Sequence, residues 1–329
     1  MNKNTINGLF AFFGMFALIL DGKTAVSGAK EGIDLCLRTV IPSLFPFFVL
    51  SSMVTSSLNH SPFWLRPITR FCRIPPGAES ILISGFLGGY PVGAQCIAEF
   101  YRMRLLSRRN AQRLLAFCSN AGPAFLFGMI APLFSHKWAA WVLWGIHIAG
   151  ALLSSCFFPT DSAPAVHISK EPLTLTAALI NAIRTTSIVC GWVILFRIIL
   201  SFFRRWFLWK LPITAQVTIF GILELTNGCC ELSSIPSESV RFVLCSVFLG
   251  FGGFCVSMQT AAVAEGLSIH NYLYGKLLQA FFSFIFSLLF VSGQGLLCPP
   301  VICVVVFLSR KPEKSVAIKR ELMYNGPTI

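Results

Sequence analysis

The sequence predicts an all-α polytopic membrane protein made of two repeated halves, and three observations carry that prediction. Hydrophobic residues make up 55% of the 329 positions and charged residues 12%, about half the charged share of an ordinary soluble domain. Runs such as WAAWVLWGIHIAGALLSSCFF (138–158) and LLQAFFSFIFSLLFVSGQGLL (277–297) are long enough, as helices, to cross a hydrocarbon core of about 30 Å. GGYPVGAQ (88–95) also aligns without a gap to GGFCVSMQ (252–259). Each opens on a glycine pair and an aromatic, keeps the valine and closes on glutamine.

Taken in order, residues 1–30 form an N-terminal membrane helix and loop. INGLFAFFGMFALIL (6–20) has the length of a signal-peptide core, but with many later membrane segments an uncleaved helix is the simpler reading. The first repeat runs over 31–134, a connecting helix and loop over 135–174, and the second repeat over 175–297. Residues 298–329 add a short apolar segment and a basic tail. Besides the glycine stretches, RTVIPSLFPFFVL (38–50) faces RTTSIVCGWVILF (184–196), and RLL (113–115) matches KLL (276–278). The prolines of PSLFPFF (42–48) read as a helix kink.

The net charge of +13 does not point to nucleic acid, because its arginines lie beside apolar segments: Arg66, Arg70 and Arg73; Arg102, Arg104, Arg108, Arg109 and Arg113; Arg204, Arg205 and Lys210. Such clusters mark cytoplasmic loops and lipid headgroup contact. Segment 99–113 holds five arginines against Glu99, whereas its counterpart 265–276 balances Glu265 with Lys276. The first is expected in the cytoplasm and the second need not be, which is the charge pattern of an inverted-topology repeat. Helix 6–20 then exits the cytoplasm, helix 138–158 returns the chain, the second half starts inside near 175, and the basic tail lies inside. The group Arg204, Arg205 and Lys210 resists this scheme: either 177–203 turns back within the membrane, or 213–229 changes the count.

The glycine stretches 81–98 and 247–263 are too interrupted to be comfortable spanning helices. In lipid every backbone polar group needs a partner, so a broken helix persists only where protein or a water-filled cavity covers it. Two interruptions in matching places point to discontinuous helices or re-entrant hairpins meeting near the midplane around a solute. The candidate binding residues on them are Gly88, Gly89, Pro91, Gly93 and Gln95, and Gly252, Gly253, Ser257 and Gln259. Close packing is the alternative use of the glycines, with Gly89 and Gly93 one turn apart and Gly85, Gly88 and Gly250 open to either reading. CSNAGPAF (118–125) adds Asn120 and Pro123, and ILELTNGCC (222–230) adds Glu224, Asn227 and Gly228. A carboxylate in an apolar segment is costly and marks a site by default. The other reading of Glu224 is a salt bridge to Arg38, Arg184 or Arg197.

Twelve cysteines show no C-x-x-C spacing and read as small hydrophobes. The five histidines form no i, i+4 pair, so neither a metal nor another cofactor is expected. The three aspartates, Asp21, Asp34 and Asp161, do not pair in an apolar segment. H-E-x-x-H and G-x-S-x-G are also absent, and an enzyme is not expected.

PSLFPFF, GFLGGYPVGA, RLLAFCSNAGPAF, LELTNG and GFGGFCVSMQ, in that order across residues 30–295, resemble the YlbJ-type sporulation integral membrane proteins. These belong to the nucleoside-recognition, or Gate, membrane domain group. The resemblance implies a protein of the inner membrane of an endospore-forming bacterium, linked to spore cortex formation. It also implies kinship with the helical hairpin domains of concentrative nucleoside transporters and ferrous-iron transport proteins. By that match Gly88, Gly89, Pro91, Gly93, Asn120, Pro123, Glu224, Asn227, Gly228, Gly253 and Gln259 fall on motif positions. Cys255 and Ser257 stand where the first repeat has Pro91 and Gly93, a departure from two equivalent sites. The expected partners are the lipid bilayer and an unidentified small polar solute, with a homo-oligomer left open and no nucleic acid. The expected activity is transport, and the alternative is a non-transporting assembly or sensor protein.

Overall fold

The computed structural model describes residues 3–57, 65–160 and 173–298, with Ile302 and Val306, and among these it holds helices and turns and no strand. Helix α1 (Lys3–Leu20) ends at Asp21, whose carboxylate accepts from the Thr24 amide and hydroxyl and so caps the next helix. That helix, α2 (Gly22–Ser57), is long enough to span a bilayer. It passes through Pro46 without ending and carries a π turn at Cys36–Val40. Short helix α3 (Arg66–Phe71) leads to α4 (Glu79–Leu87) and α5 (Val92–Arg102), which fold back on one another about a tip at 88–91 containing a cis Tyr90–Pro91 bond.

Next come α6 (Arg108–Leu115) and α7 (Pro123–Leu133), one path broken at 116–122, and the spanning helix α8 (Trp138–Phe157). After a gap in the described residues, α9 (Leu175–Leu208) spans again. Helices α10 (Ile213–Leu223) and α11 (Leu225–Glu231) make a second hairpin, with Glu224 at its tip. Helices α12 (Glu238–Phe251) and α13 (Gly253–Val263) form one span broken at Gly252, and α14 (His270–Val291) is the last spanning helix. Among the described residues five helices are thus apolar and long enough to cross a membrane. Their outward residues, among them Leu50, Trp141, Ile180, Leu195 and Phe281, stay exposed, a surface suited to lipid and far too apolar for water. The chain is a multi-pass membrane protein.

Both hairpins close through glycine. A Cβ on Gly93 would lie 2.8 Å from the Gly85 Cα, and one on Gly228 would lie 2.2 Å from the Gly221 Cα. The arms therefore touch backbone to backbone, which a larger residue at either position would prevent. The two glycine stretches that align in sequence thus have different roles. Gly88–Pro91 is a hairpin tip, while Gly252, at φ +79°, is a break inside a span.

Contacts sort the loops into two ends. At one end Arg113 donates to the carbonyls of Cys72, Arg73 and Phe158, the Leu173 amide donates to Ser56, and Tyr101 lies against Gly266. At the other, Ser135 donates to Glu238, Arg241 donates to the Leu133 carbonyl, Trp138 meets Phe290, and Arg205 pairs with Asp21 at 2.8 Å. Hairpin α4–α5 enters from the first end and hairpin α10–α11 from the second.

One expectation is corrected by this layout. Segment 99–113 is expected in the cytoplasm while its counterpart 265–276 need not be, yet Leu106 and Tyr272 share one core cluster and a Cβ at Gly266 would sit 3.7 Å from the Tyr101 ring. They lie at the same end because α5 returns there and α13 arrives there. At the group Arg204, Arg205 and Lys210, where two alternatives stand open, α9 runs as one continuous helix to Leu208 and its basic end meets acids. Arg197 and Arg204 both pair with Glu231 at 2.8 Å, and Arg197 also holds Glu31 at 2.6 Å. The last spanning helix, α14, ends at this same second end, away from the arginine-rich loops. The basic tail expected in the cytoplasm lies outside the described residues.

Candidate functional site

Glycine at the first tip and at the two breaks lets four interrupted segments meet. Gly89, at φ +74°, sits against Gly122, where a Cβ would lie 3.0 Å from the Gly122 amide nitrogen. Gly253, at φ +80°, sits against the other tip, 3.1 Å from the Leu225 amide on the same measure. Each hairpin tip thus packs on the break of the neighbouring broken helix. These positive φ values favour glycine, the residue without a Cβ penalty.

The two tips, the first break and α13 line a narrow, partly open cavity of about 40 Å³. Its polar wall is Gly88, Gly89 and Tyr90 of the first tip, Gly122 of the first break, Glu224 and Thr226 of the second tip, and Gln259 of α13. Its apolar wall comes from α2 (Leu44, Phe48), α7 (Phe125), α9 (Val189, Val193) and Val256. A few polar groups converging on an apolar hollow is the usual make-up of a small-molecule site.

Glu224 is the one acid of that wall and is 1% exposed. Its carboxylate accepts from the Thr226 amide at 2.9 Å, the Asn227 amide at 2.6 Å and Asn227 Nδ2 at 2.7 Å. Among the described residues no cation pairs with it. Arg38 pairs with Asp34, Arg197 with Glu31 and Glu231, and Arg184 is exposed. The salt-bridge reading of Glu224 therefore has no counterpart here. The donors to its two oxygens are neutral amides, and no basic group stands beside it among the described residues.

Of the residues expected from sequence, Gly88, Gly89, Glu224 and Gln259 line the cavity. Asn227 supports Glu224 from behind and also donates to the Val193 carbonyl. Gly252 underlies the Tyr90 hydroxyl, and Gly253 underlies the second tip. Pro91 and Pro123 each open a helix beside the cavity, and Gly93 and Gly228 serve hairpin packing. Ser257 turns back to the Gly253 carbonyl within its own helix. Gln95 is half-buried and outside the wall, so the two aligned glutamines are not equivalent.

Asn120 is drawn into a second cluster that the sequence reading missed. Lys276 Nζ donates to Gln279 Oε1 at 2.7 Å and to Asn120 Oδ1 at 3.1 Å. Gln279 Nε2 reaches Asn120 Oδ1 at 3.0 Å and the His147 carbonyl at 3.1 Å, and His147 Nε2 accepts from the Ala121 amide. Lysine three residues before glutamine in the apolar run of α14 was the available signal. Among the described residues no group of His, Cys, Asp or Glu could hold a metal.

In sequence, the chain is 26% identical to the sporulation integral membrane protein YlbJ of Bacillus subtilis (strain 168), over 88% of this chain and 84% of the relative. No family profile matches the chain. No solved structure matches it.

Proposed function

We propose that this chain, assigned to the YlbJ-type family of sporulation integral membrane proteins by similarity over most of its length, carries a small polar solute across the membrane during sporulation. One observation supports the reading above the rest: two hairpin tips entering from opposite ends, one helix break and α13 line one cavity holding a buried carboxyl group with no basic partner. Interrupted helices meeting round a central polar site are a common design of secondary transporters.

The order of elements supports an inverted repeat as well. Long helix, hairpin, broken helix, long helix runs through 22–157 and again through 175–291. In this register α4–α5 answers α10–α11, and the break at 116–122 answers Gly252, a pairing different from that of 88–95 with 252–259. The loop joining hairpin to broken helix is 103–107 in one copy and 232–237 in the other, at opposite ends. Arginine crowding at the first end makes that end cytoplasmic by the positive-inside rule.

The cavity wall holds a carboxyl group, an amide and no basic side chain, so a solute that presents hydrogen-bond donors or positive charge fits it, as a hydroxyl-rich nucleoside or an amine does. The test is thermal unfolding of the protein in lipid nanodiscs against nucleosides, amino acids, amines and divalent cations. A ligand at a hundred times its dissociation constant stabilises by about 2.7 kcal/mol, and Glu224→Gln should remove the shift. A folded protein that no member of the panel stabilises would count against transport. So would normal sporulation in Glu224→Gln cells alongside failure when the arginines of 102–113 are changed, the pattern of an assembly protein.

A further inference from the structure

Lys276 is wholly buried in α14, and nothing in the cavity chemistry above uses it. Its hydrogen-bond acceptors, Gln279 Oε1 and Asn120 Oδ1, are neutral. Among the described residues no carboxylate lies within ion-pair distance of it. Burying an ammonium without a counter-charge is expensive, and a chain that does so needs a reason. Amide oxygens accept from an ammonium and from a neutral amine alike, so this network tolerates both forms.

What separates the two forms is the pair of rings over the nitrogen. Nζ sits 5.2 Å from the centroid of Tyr90 and 5.7 Å from that of Tyr272. Only the ammonium is attracted to a ring face, and the attraction is strongest where water is excluded. Tyr90 is the side chain of the first hairpin tip and lines the cavity, and its hydroxyl lies over Gly252 at the break of α12–α13. Asn120, the other contact, stands in the break beside that tip. The charge on Lys276 therefore acts on three of the four pieces that enclose the cavity.

We propose that Lys276 is a proton-binding site coupled to the cavity, the ligand being the proton that accompanies solute movement. With the proton bound, Nζ holds Tyr90 and the first tip closed over Gly252. When the tip opens, Nζ gives the proton to water entering the cavity and remains as the amine hydrogen-bonded to Gln279 and Asn120. By linkage, closing the tip strengthens proton binding by the same factor that the proton strengthens closure. The titratable groups facing this site are Tyr90 of the tip, Cys118 of the break, His147 of α8 through Gln279, and Tyr272 of α14 itself. Where α12 meets α14 it presents Ser246 and Gly250, neither of which titrates, and Cys255 of α13 lies by Tyr272.

The inference builds on the reading of the cavity as a solute site, and its test is separate. Hydrogen–deuterium exchange of the full chain in nanodiscs, corrected for intrinsic rates, would follow peptides covering 85–96 at mildly acidic and mildly alkaline pH. The wild type should protect this tip several-fold better in acid. Lys276→Arg should stay protected at both pH values, and Lys276→Met should lose the pH response. Tyr90→Leu, which leaves the amine in place, should lose it too, with α9 peptides reporting an intact fold in each variant. A wild-type tip indifferent to pH, or a pH response as large as the wild type's in Lys276→Met or Tyr90→Leu, would overturn the proposal. A solute that still stabilises the wild type in that case leaves the cavity reading standing, while an intact pH response with no stabilising solute does the reverse.

Discussion

Glutamine shows how much position matters at the scale of single residues. Gln95 and Gln259 occupy the same place in an eight-residue alignment, yet only Gln259 reaches the cavity, at 4% exposure. Gln259→Ala should therefore abolish ligand-induced stabilisation, and Gln95→Ala should leave it unchanged, both read by thermal shift. Behind the wall, Asn227 gives two of the three hydrogen bonds described above for the Glu224 side-chain oxygens. Asn227→Ala keeps the backbone one and removes Nδ2, at a cost of about 1–3 kcal/mol for a group bonded to a buried charge. The melting temperature should fall by several degrees, and solute affinity should fall with it.

Each hairpin is an element that two glycines make feasible. At 228 a Cβ would come within 2.2 Å of backbone, and no rotamer relieves a clash at Cβ itself. Gly228→Ala should force α10 and α11 apart and cost about 1–3 kcal/mol as overpacking, or more where backbone cannot shift. Gly145, in the middle of α8, has nothing within 4 Å, so Gly145→Ala should be neutral or stabilise by about 0.5–1 kcal/mol through helix propensity. Melting curves of the two variants in nanodiscs compare them directly. Equal destabilisation would mean that the arms do not close on glycine. The same logic explains why Gly89 and Gly93, read as a one-turn packing pair, divide their labour: the first turns the chain at the tip, and the second sits between Gly85 and the Cys118 carbonyl.

For the whole molecule, the two ends make a labelling prediction. Met103 and Ser268 are exposed at the arginine-rich end, and Lys137 and Ser234 at the other. Cysteines placed singly at these positions should react with a membrane-impermeant thiol reagent in two groups, above the labelling of the parent chain. Lys137→Cys and Ser234→Cys should react from outside intact cells, and Met103→Cys and Ser268→Cys only after lysis. Labelling of Met103→Cys and Ser268→Cys from different sides would contradict the fold. At the second end, acids on α2 and α11 pair with the basic end of α9. Its arginines thus read as an ion-pair network rather than a cytoplasmic signal.

Composition and run length alone determined that this chain lives in a bilayer as helices, because lipid admits few other ways to satisfy a backbone. They also placed the interruptions, since glycine, proline and a carboxylate in apolar runs are costly unless they are used. Glu224, Gly88, Gly89 and Gln259 were legible for that reason. Tertiary structure alone decided which interruptions are hairpins and which are broken spans, because that depends on whether two arms can touch, as Gly85 does Gly93 and Gly221 does Gly228. It likewise decided which loops share an end and which partners the charges find. Ion pairs such as Arg197 with Glu31, 166 residues apart, and the bond from Lys276 to Asn120, 156 residues apart, leave no local trace. A buried charge is a property of what packs around it, and packing is settled only when the whole chain has folded.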